Sequence, residues 1–354
     1  SGVQVSEASP ASDVKSSNDV DDVVSPVVID PKSISFPIVC PGHSRPVVDV
    51  RFSNKTQDGV LIVSGCHDKK PMLRWGDNGD WIGTFEGHKG AVWSSAFNSD
   101  ATRVATGSGD FSARIWDAFT GDMIHAFEHK HIVKSVEFSR KDDRLLTGGN
   151  DKKIRVFDLK TIECPCIVEI DTGSVIKKAS WLNDQTDPSG LSDLVICGCD
   201  DGKIMVYDLK KTEKPMKEWN MGDPVKDLEY TASLNTIAIA SGSNATFLDA
   251  KTFETKKTFP LKIKVEGLSL NPVNGNEFVA GGNDLWVHVF DYNTGLELHC
   301  HKGHHGPIFC LRYSPSGDIY ASGSEDGTIR LWKHNNDEKK TIEKTIEKTK
   351  PVEE

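Results

Sequence analysis

GDFSARIWD at 109–117 and EDGTIRLWK at 325–333 spell one phrase twice: a turn built on Asp and Gly, then a short alternating strand that reaches tryptophan. The phrase returns with variations as HDKKPMLRW at 67–75, NDKKIRVFD at 150–158, DDGKIMVYD at 200–208 and NDLWVHVFD at 283–291. Its aspartates are Asp68, Asp110, Asp151, Asp201, Asp284 and Asp326, so the steps are 42, 41, 50, 83 and 42 residues. A step of 83 holds two periods. The hidden unit reads SGSNATFLD at 241–249, with Gly242 where the aspartate is expected, which makes seven units.

One unit, 87–128, shows what each period must become. Gly87-His88 precedes the apolar strand AVWSSAF, and RVATGS leads into the turn at Gly109-Asp110. SARIWD runs out of that turn, and DMIHAFE returns after Thr120-Gly121. Four short alternating strands bounded by Gly, Asp and Asn make an antiparallel meander. Such a unit cannot bury its apolar faces alone, so neighbouring units have to stack.

The pattern resembles the WD-repeat family, whose units are four-stranded propeller blades. The resemblance implies an all-β fold, a seven-bladed β-propeller over 34–333. Outside it, composition predicts a disordered acidic arm at 1–33, and a charged tail at 334–354 in which Ile342 and Ile346, four apart among Glu/Lys pairs, offer a short helix. The last unit stops at Lys333 with no fourth strand, while FPIVCPGH at 36–43 aligns with LHCHKGH at 298–304. Residues 34–40 are therefore expected to supply the missing strand and close the ring, leaving no free edge on a monomer.

The resemblance also implies a buried hydrogen-bonded chain of His, Ser or Thr, Asp and Trp in each blade. A buried carboxylate needs such a partner. The matching sets are His88, Thr106, Asp110 and Trp116 in the second unit and His304, Ser322, Asp326 and Trp332 in the seventh. The first unit keeps His43, Ser64 and Asp68 but carries Arg74 at the Trp position; the third keeps His129, Thr147 and Asp151 but carries Phe157. Thr172, Met221 and Leu261 stand where the middle units would have histidine. Those blades are expected to rely on strand pairing and apolar packing, and to open more readily.

Catalysis and cofactors find no support. There is no G-x-S-x-G, P-loop or H-E-x-x-H motif, so neither enzyme activity nor a cofactor is expected. Cys164-Pro165-Cys166 and Cys197-Gly198-Cys199 lack the two-residue spacer of zinc knuckles, and most of the eight cysteines fall in strands, where a reduced thiol packs as a small apolar group. The densest metal-like cluster is His299-Cys300-His301 with His304 and His305. On a strand Cys300 points away from its two histidine neighbours, so no metal site is expected there. Reduced cysteines, no apolar run of membrane-spanning length and no signal-peptide pattern point to a cytoplasmic and nuclear setting.

Function then has to reside on the surface. The fifth residue after each histidine, or its equivalent, is expected to face the central opening of a propeller: Val48, Trp93, Lys134, Lys177, Lys226, Glu266 and Phe309. Three lysines in succession beside aromatics suit an acidic or phosphorylated protein segment. A formal net charge of −10 opposes direct nucleic-acid binding by the chain as a whole.

A narrower resemblance rests on GHSRPVVDVRFS at 42–53, GDWIGTFEGHKGAVW at 79–93, HKHIVKSVEFS at 129–139, VAGGNDLWVHVFDYNTGLEL at 279–298 and GHHGPIFCLRYSPSGDIYASGSEDGTIRLW at 303–332. Together with Arg74 these are similar to the serine/threonine kinase receptor-associated protein family. That resemblance implies an adaptor without catalysis, associated with the survival-of-motor-neuron complex that loads Sm proteins onto spliceosomal small nuclear RNAs. It also implies contacts with transforming-growth-factor-β receptor kinases and Smad proteins. The WD-repeat i subunit of translation initiation factor three is the alternative, and a propeller binding RNA directly through Lys134, Lys177 and Lys226 is a further one.

Overall fold

The computed structural model describes residues 37–182 and 193–333. The arm 1–33, the tail 334–354 and residues 34–36 of the expected closing strand lie outside them. Among the described residues there are seven sheets, each of four antiparallel strands. In the second blade these are Val92–Phe97, Arg103–Ser108, Ser112–Asp117 and Met123–Glu128, the meander expected of that unit. The hidden fifth unit is also a full blade, Val225–Thr231, Thr236–Ser241, Asn244–Asp249 and Thr255–Pro260.

The innermost strands of the other blades are Val47–Phe52, Val133–Phe138, Ile176–Leu182, Val265–Leu270 and Ile308–Tyr313. Each inner strand contacts that of the next blade, and the seventh contacts the first. Closure is completed at the rim, where Ile38–Cys40 joins the seventh blade in antiparallel register, Ile38 opposite Leu331 and Cys40 opposite Ile329. The expected N-terminal closing strand is thus present, and it covers an edge that would otherwise be open.

The core is a set of apolar seams between neighbouring blades. Val63, Leu73, Phe85, Val104 and Trp116 fill the first, and Val279, Val289, Ile308, Leu311, Tyr320 and Trp332 the one between the sixth and seventh. Two glycines show how tightly blades approach. A Cβ on Gly198 would lie 2.5 Å from Val225 Cγ1, and one on Gly323 would lie 2.8 Å from Val47 Cγ1 across the closing seam. Six of the seven blades carry Gly in the second strand where the first inner residue of the next blade presses against it, and the fifth carries Ala240 there.

Candidate functional site

The blade networks come first, because they take up most of the histidine and aspartate that could look catalytic. In the second blade Trp116 Nε1 donates to Thr106 Oγ1 at 2.8 Å, Thr106 Oγ1 meets His88 Nε2 at 2.7 Å, and His88 Nδ1 meets Asp110 Oδ2 at 2.8 Å. The seventh repeats this through Trp332, Ser322, His304 and Asp326 at 2.9, 2.7 and 3.0 Å. One neutral tautomer of each imidazole satisfies the whole chain: the threonine or serine hydroxyl donates to Nε2, and Nδ1–H donates to the carboxylate. In the first blade His43 spans Ser64 at 2.8 Å and Asp68 at 2.7 Å. Arg74, buried in the tryptophan's place, donates to the carbonyls of Pro41 and, at 3.1 Å, Gly79.

The third set does not form as expected. His129 Nε2 reaches Thr147 Oγ1 at 2.9 Å, but its Nδ1 faces the Phe127 carbonyl at 3.0 Å, while Asp151 pairs with Arg155 Nη1 at 2.6 Å. Glu128 precedes this histidine, whereas the first two blades place Gly42 and Gly87 there at φ of 132° and 145°, values that a side chain strains to reach. Arg155, four residues on, supplies the carboxylate's partner instead.

Two middle blades likewise keep a polar clasp that their missing histidine did not suggest. Asp201 accepts from Ser174 Oγ at 2.5 Å, and Asp284 pairs with His288 Nε2 at 2.6 Å. Only the fifth blade, with Gly242, has no turn carboxylate of this kind. Hydrogen exchange is expected to show the second and seventh blades best protected and the fifth least, and equal protection throughout would contradict this.

Burial pushes the Asp68 and Asp326 carboxyls up, but hydrogen bonds outweigh it, from His43 to Asp68 and from the His305 N–H and Thr328 to Asp326, bringing each to about 2. Burial acts on Asp110 too, and His88, Ser112 and the Lys89 N–H hold it well below the ordinary carboxylate range. A carboxyl lowered on folding adds stability that is complete above its unfolded value of about 4 and is lost as the pH falls through its folded value. Urea titrations are expected to show stability falling between about pH 4 and pH 2, and less steeply in Asp110→Asn.

The seven residues expected to face the opening share a backbone feature. Val48, Trp93, Lys134, Lys177, Lys226, Glu266 and Phe309 are each the second residue of an inner strand. In every blade the register to the second strand shifts across that residue, for example between Val92 and Ser94. A bulge leaves one residue unpaired and re-aims its side chain. The ring of candidate contact residues is therefore a ring of seven bulges.

The lysines on it are not a bare cationic arc. Lys177 Nζ pairs with Asp200 at 3.0 Å, and Lys226 Nζ pairs with Glu266 of the next blade at 3.0 Å, because acidic side chains lie within reach of both. Lys134 differs: its ammonium lies over the Trp93 ring, and among the described residues no carboxylate forms an ion pair with it. Burial, with Lys177 and Lys178 close by, pulls its pKa down to about 7. Trp93 is half-buried, with His67 edge-on at 4.4 Å between centroids, and its Nε1 finds no hydrogen-bond acceptor among the described residues.

One layer deeper lies a charge cluster that the repeat alignment passed over. Asp49 of the first blade holds Lys178 of the fourth at 2.8 Å and accepts from Ser95 of the second at 2.8 and 3.0 Å. Arg312 of the seventh grips Asp227 of the fifth through two bonds of 2.6 and 2.7 Å, with Glu229 at 3.4 Å. Contacts between blades that are not neighbours can form only across the centre, so these groups cross-brace the ring. The signal was visible in VVDVRF, VKDLEY and IFCLRY, where charge interrupts strands that otherwise read as buried.

All eight cysteines are free thiols, five of them buried. Among the described residues no helix is long and apolar enough to cross a membrane. His299 and Cys300 of the histidine-rich strand lie opposite Val289 and His288 respectively, so their side chains take opposite faces, as the strand geometry required.

Segments 79–117, 121–158 and 295–333 match the family described as WD domain, G-beta repeat. The serine-threonine kinase receptor-associated proteins of Gallus gallus and Dictyostelium discoideum are 46% and 44% identical to the chain; each comparison covers 84% of it, and 82% and 98% of the relative. Eukaryotic translation initiation factor 3 subunit I of Schizosaccharomyces pombe is more distant, 29% identical across 83% of this chain and 95% of its own. With the ring closed by its N-terminal strand and this level of identity along most of both chains, the protein belongs to the serine-threonine kinase receptor-associated protein family of WD-repeat propellers.

Proposed function

We propose that the chain is a non-catalytic adaptor that docks a protein segment on its ring of bulges, centred on Trp93 and Lys134. The observation that carries this reading is that all seven mouth residues are bulged out of the sheet ladder and none of them is buried. Trp93 offers a half-buried ring whose indole N–H is buried and unpaired, and Lys134 beside it is a cation that no carboxylate pairs with among the described residues. A segment that brings an acidic group to Lys134 and apolar surface to the exposed part of the Trp93 ring matches both.

The kinship supports a finer reading. Relatives at 44–46% identity carry kinase-receptor association in their name, which favours a receptor kinase as one partner. We place the chain also with Sm-assembly components of the survival-of-motor-neuron complex, in both cytoplasm and nucleus. The ion pairs at Lys177 and Lys226 weigh against the reading as a direct RNA binder, since both charges are already matched. Affinity capture from native extract tests the adaptor reading. Sm-assembly proteins or a receptor kinase are expected to be retained by the wild type and lost from Trp93→Ala. Retention of initiation-factor subunits instead would transfer the chain to the alternative role.

A further inference from the structure

On the outer half of the sixth blade the strands Val287–Asp291 and Glu297–His301 place three unlike ligand groups together. His288 and Cys300 are direct cross-strand partners. The register then shifts between Val289 and Phe290, so that Leu298 is the extra residue and Glu297 stands opposite Phe290. In a regular strand Cys300 would share its face with the residue two before it; with Leu298 bulged, Glu297 takes that position. One ligand atom from each of His288, Glu297 and Cys300 lies within 4.8 Å of the other two. His288 Nδ1 meets Glu297 Oε1 at 2.8 Å, and its Nε2 meets Asp284 Oδ2 at 2.6 Å.

We infer that His288, Glu297 and Cys300 form a site for a divalent zinc-like ion, with Asp284 orienting the histidine from behind. A nitrogen, an oxygen and a sulfur donor with a fourth position open to solvent is a donor set that zinc accepts. The second observation is the carboxylate behind the ring: metal-binding histidines donate their other N–H to such a group, which fixes the tautomer and strengthens the donor. Here Asp284 fills that role at 2.6 Å and leaves Nδ1 directed at Glu297 and Cys300. Glu297 is exposed and Cys300 half-buried, so an ion can enter from the rim. On binding, the ion replaces the proton between His288 Nδ1 and Glu297 and the proton of the Cys300 thiol, and both pass to solvent.

A second group, His43, Cys66 and Asp68, meets the same distance criterion but does not make a site. Its thiol, Cys66, is buried and donates to the Arg45 carbonyl at 3.1 Å, and Asp68 already accepts from the Ser44 and Lys70 N–H groups as well as from His43. That cluster is the first blade's own network.

Cobalt titration of the full chain, stripped of metal by a chelator, tests the inference. One equivalent of Co²⁺ is expected to bind with the absorption of a four-coordinate ion and a near-ultraviolet sulfur-to-cobalt band, and zinc should displace it. Cys300→Ser should abolish the band, Cys66→Ser should leave it unchanged, and Asp284→Asn should weaken binding roughly 10- to 100-fold. Glu297 is exposed, so Glu297→Gln keeps the fold and should also weaken uptake. Failure of the wild type to take up cobalt saturably, or a band that survives both Cys300→Ser and Glu297→Gln, would overturn the proposal.

Discussion

Arg312→Met is expected to destabilise the propeller by roughly 3–5 kcal/mol in urea or guanidinium unfolding, the cost of leaving buried charge without its partner. Arg312 is buried and joins three blades. It holds Asp227 of the fifth in a two-pronged grip at 2.6 and 2.7 Å, lies 3.4 Å from Glu229, and donates to the Leu268 carbonyl of the sixth at 3.3 Å. Burial alone would push the Asp227 carboxyl up, yet Arg312 reverses this and holds it at about 2. Without the guanidinium that reversal disappears and Asp227 must either stay charged in a dry site or take up a proton. The deficit of the variant should therefore shrink as the pH is lowered through the raised folded value, because the neutral acid costs less to bury. Arg312→Met with Asp227→Leu is expected to recover much of the loss, since an apolar pair of similar volume often replaces a buried ion pair at little cost. A single-variant loss below about 1 kcal/mol would show that the centre is wet and the brace unimportant.

The second large effect falls on binding. Trp93→Ala is expected to weaken a captured partner by about 2 kcal/mol or more, roughly thirtyfold in Kd, with little change in global stability. Lys134→Met separates the two roles further. Its ammonium has a folded pKa of about 7 against an ordinary 10.5, so below pH 7 the chain carries the full cost of burying a cation. That cost declines as the pH rises from about 7 to 10.5, because the unfolded chain then binds more protons than the folded one. Stacking on Trp93 returns part of it, and Lys134→Met should leave the free protein more stable by roughly 2 kcal/mol at neutral pH, a gain that fades by pH 10.5. Binding of an acidic segment should nevertheless become weaker. A variant both less stable and undiminished in binding would exclude Lys134 from the docking surface.

The fold was legible because its determinants repeat. Seven turns spaced about 42 residues apart, and an unpaired terminal phrase at 36–43, leave few arrangements other than a closed ring. The clasps were legible only where the complete His, Ser or Thr, Asp and Trp set was present. Arg155, Ser174 and His288 were missed because each satisfies its aspartate from a position that the repeat alignment does not mark. The mouth residues could be located by counting from the histidines, but their state could not. Whether Lys177 and Lys226 are free depends on Asp200 in another strand's turn and Glu266 in another blade, and their distances are tertiary facts. The Glu297 and Cys300 pairing depends on a single bulged residue, Leu298, that strand periodicity alone would place on the wrong face.

The strand that closes the ring sets an order on how the chain can be completed. Cys40 sits opposite Ile329, about 290 residues away, and no nearer segment can stand in for it. During synthesis Ile38–Cys40 emerges ahead of all seven blades and waits, with its backbone N–H and C=O groups unpaired, until the seventh blade has left the ribosome. Throughout that interval six blades stand as an arc with two sticky ends, and two nascent chains on one message could exchange their first strands. Slow translation near the 3′ end, or truncation before Ile329, should therefore produce intertwined dimers and aggregates rather than a merely shorter propeller, which makes the last blade the quality checkpoint for the first strand.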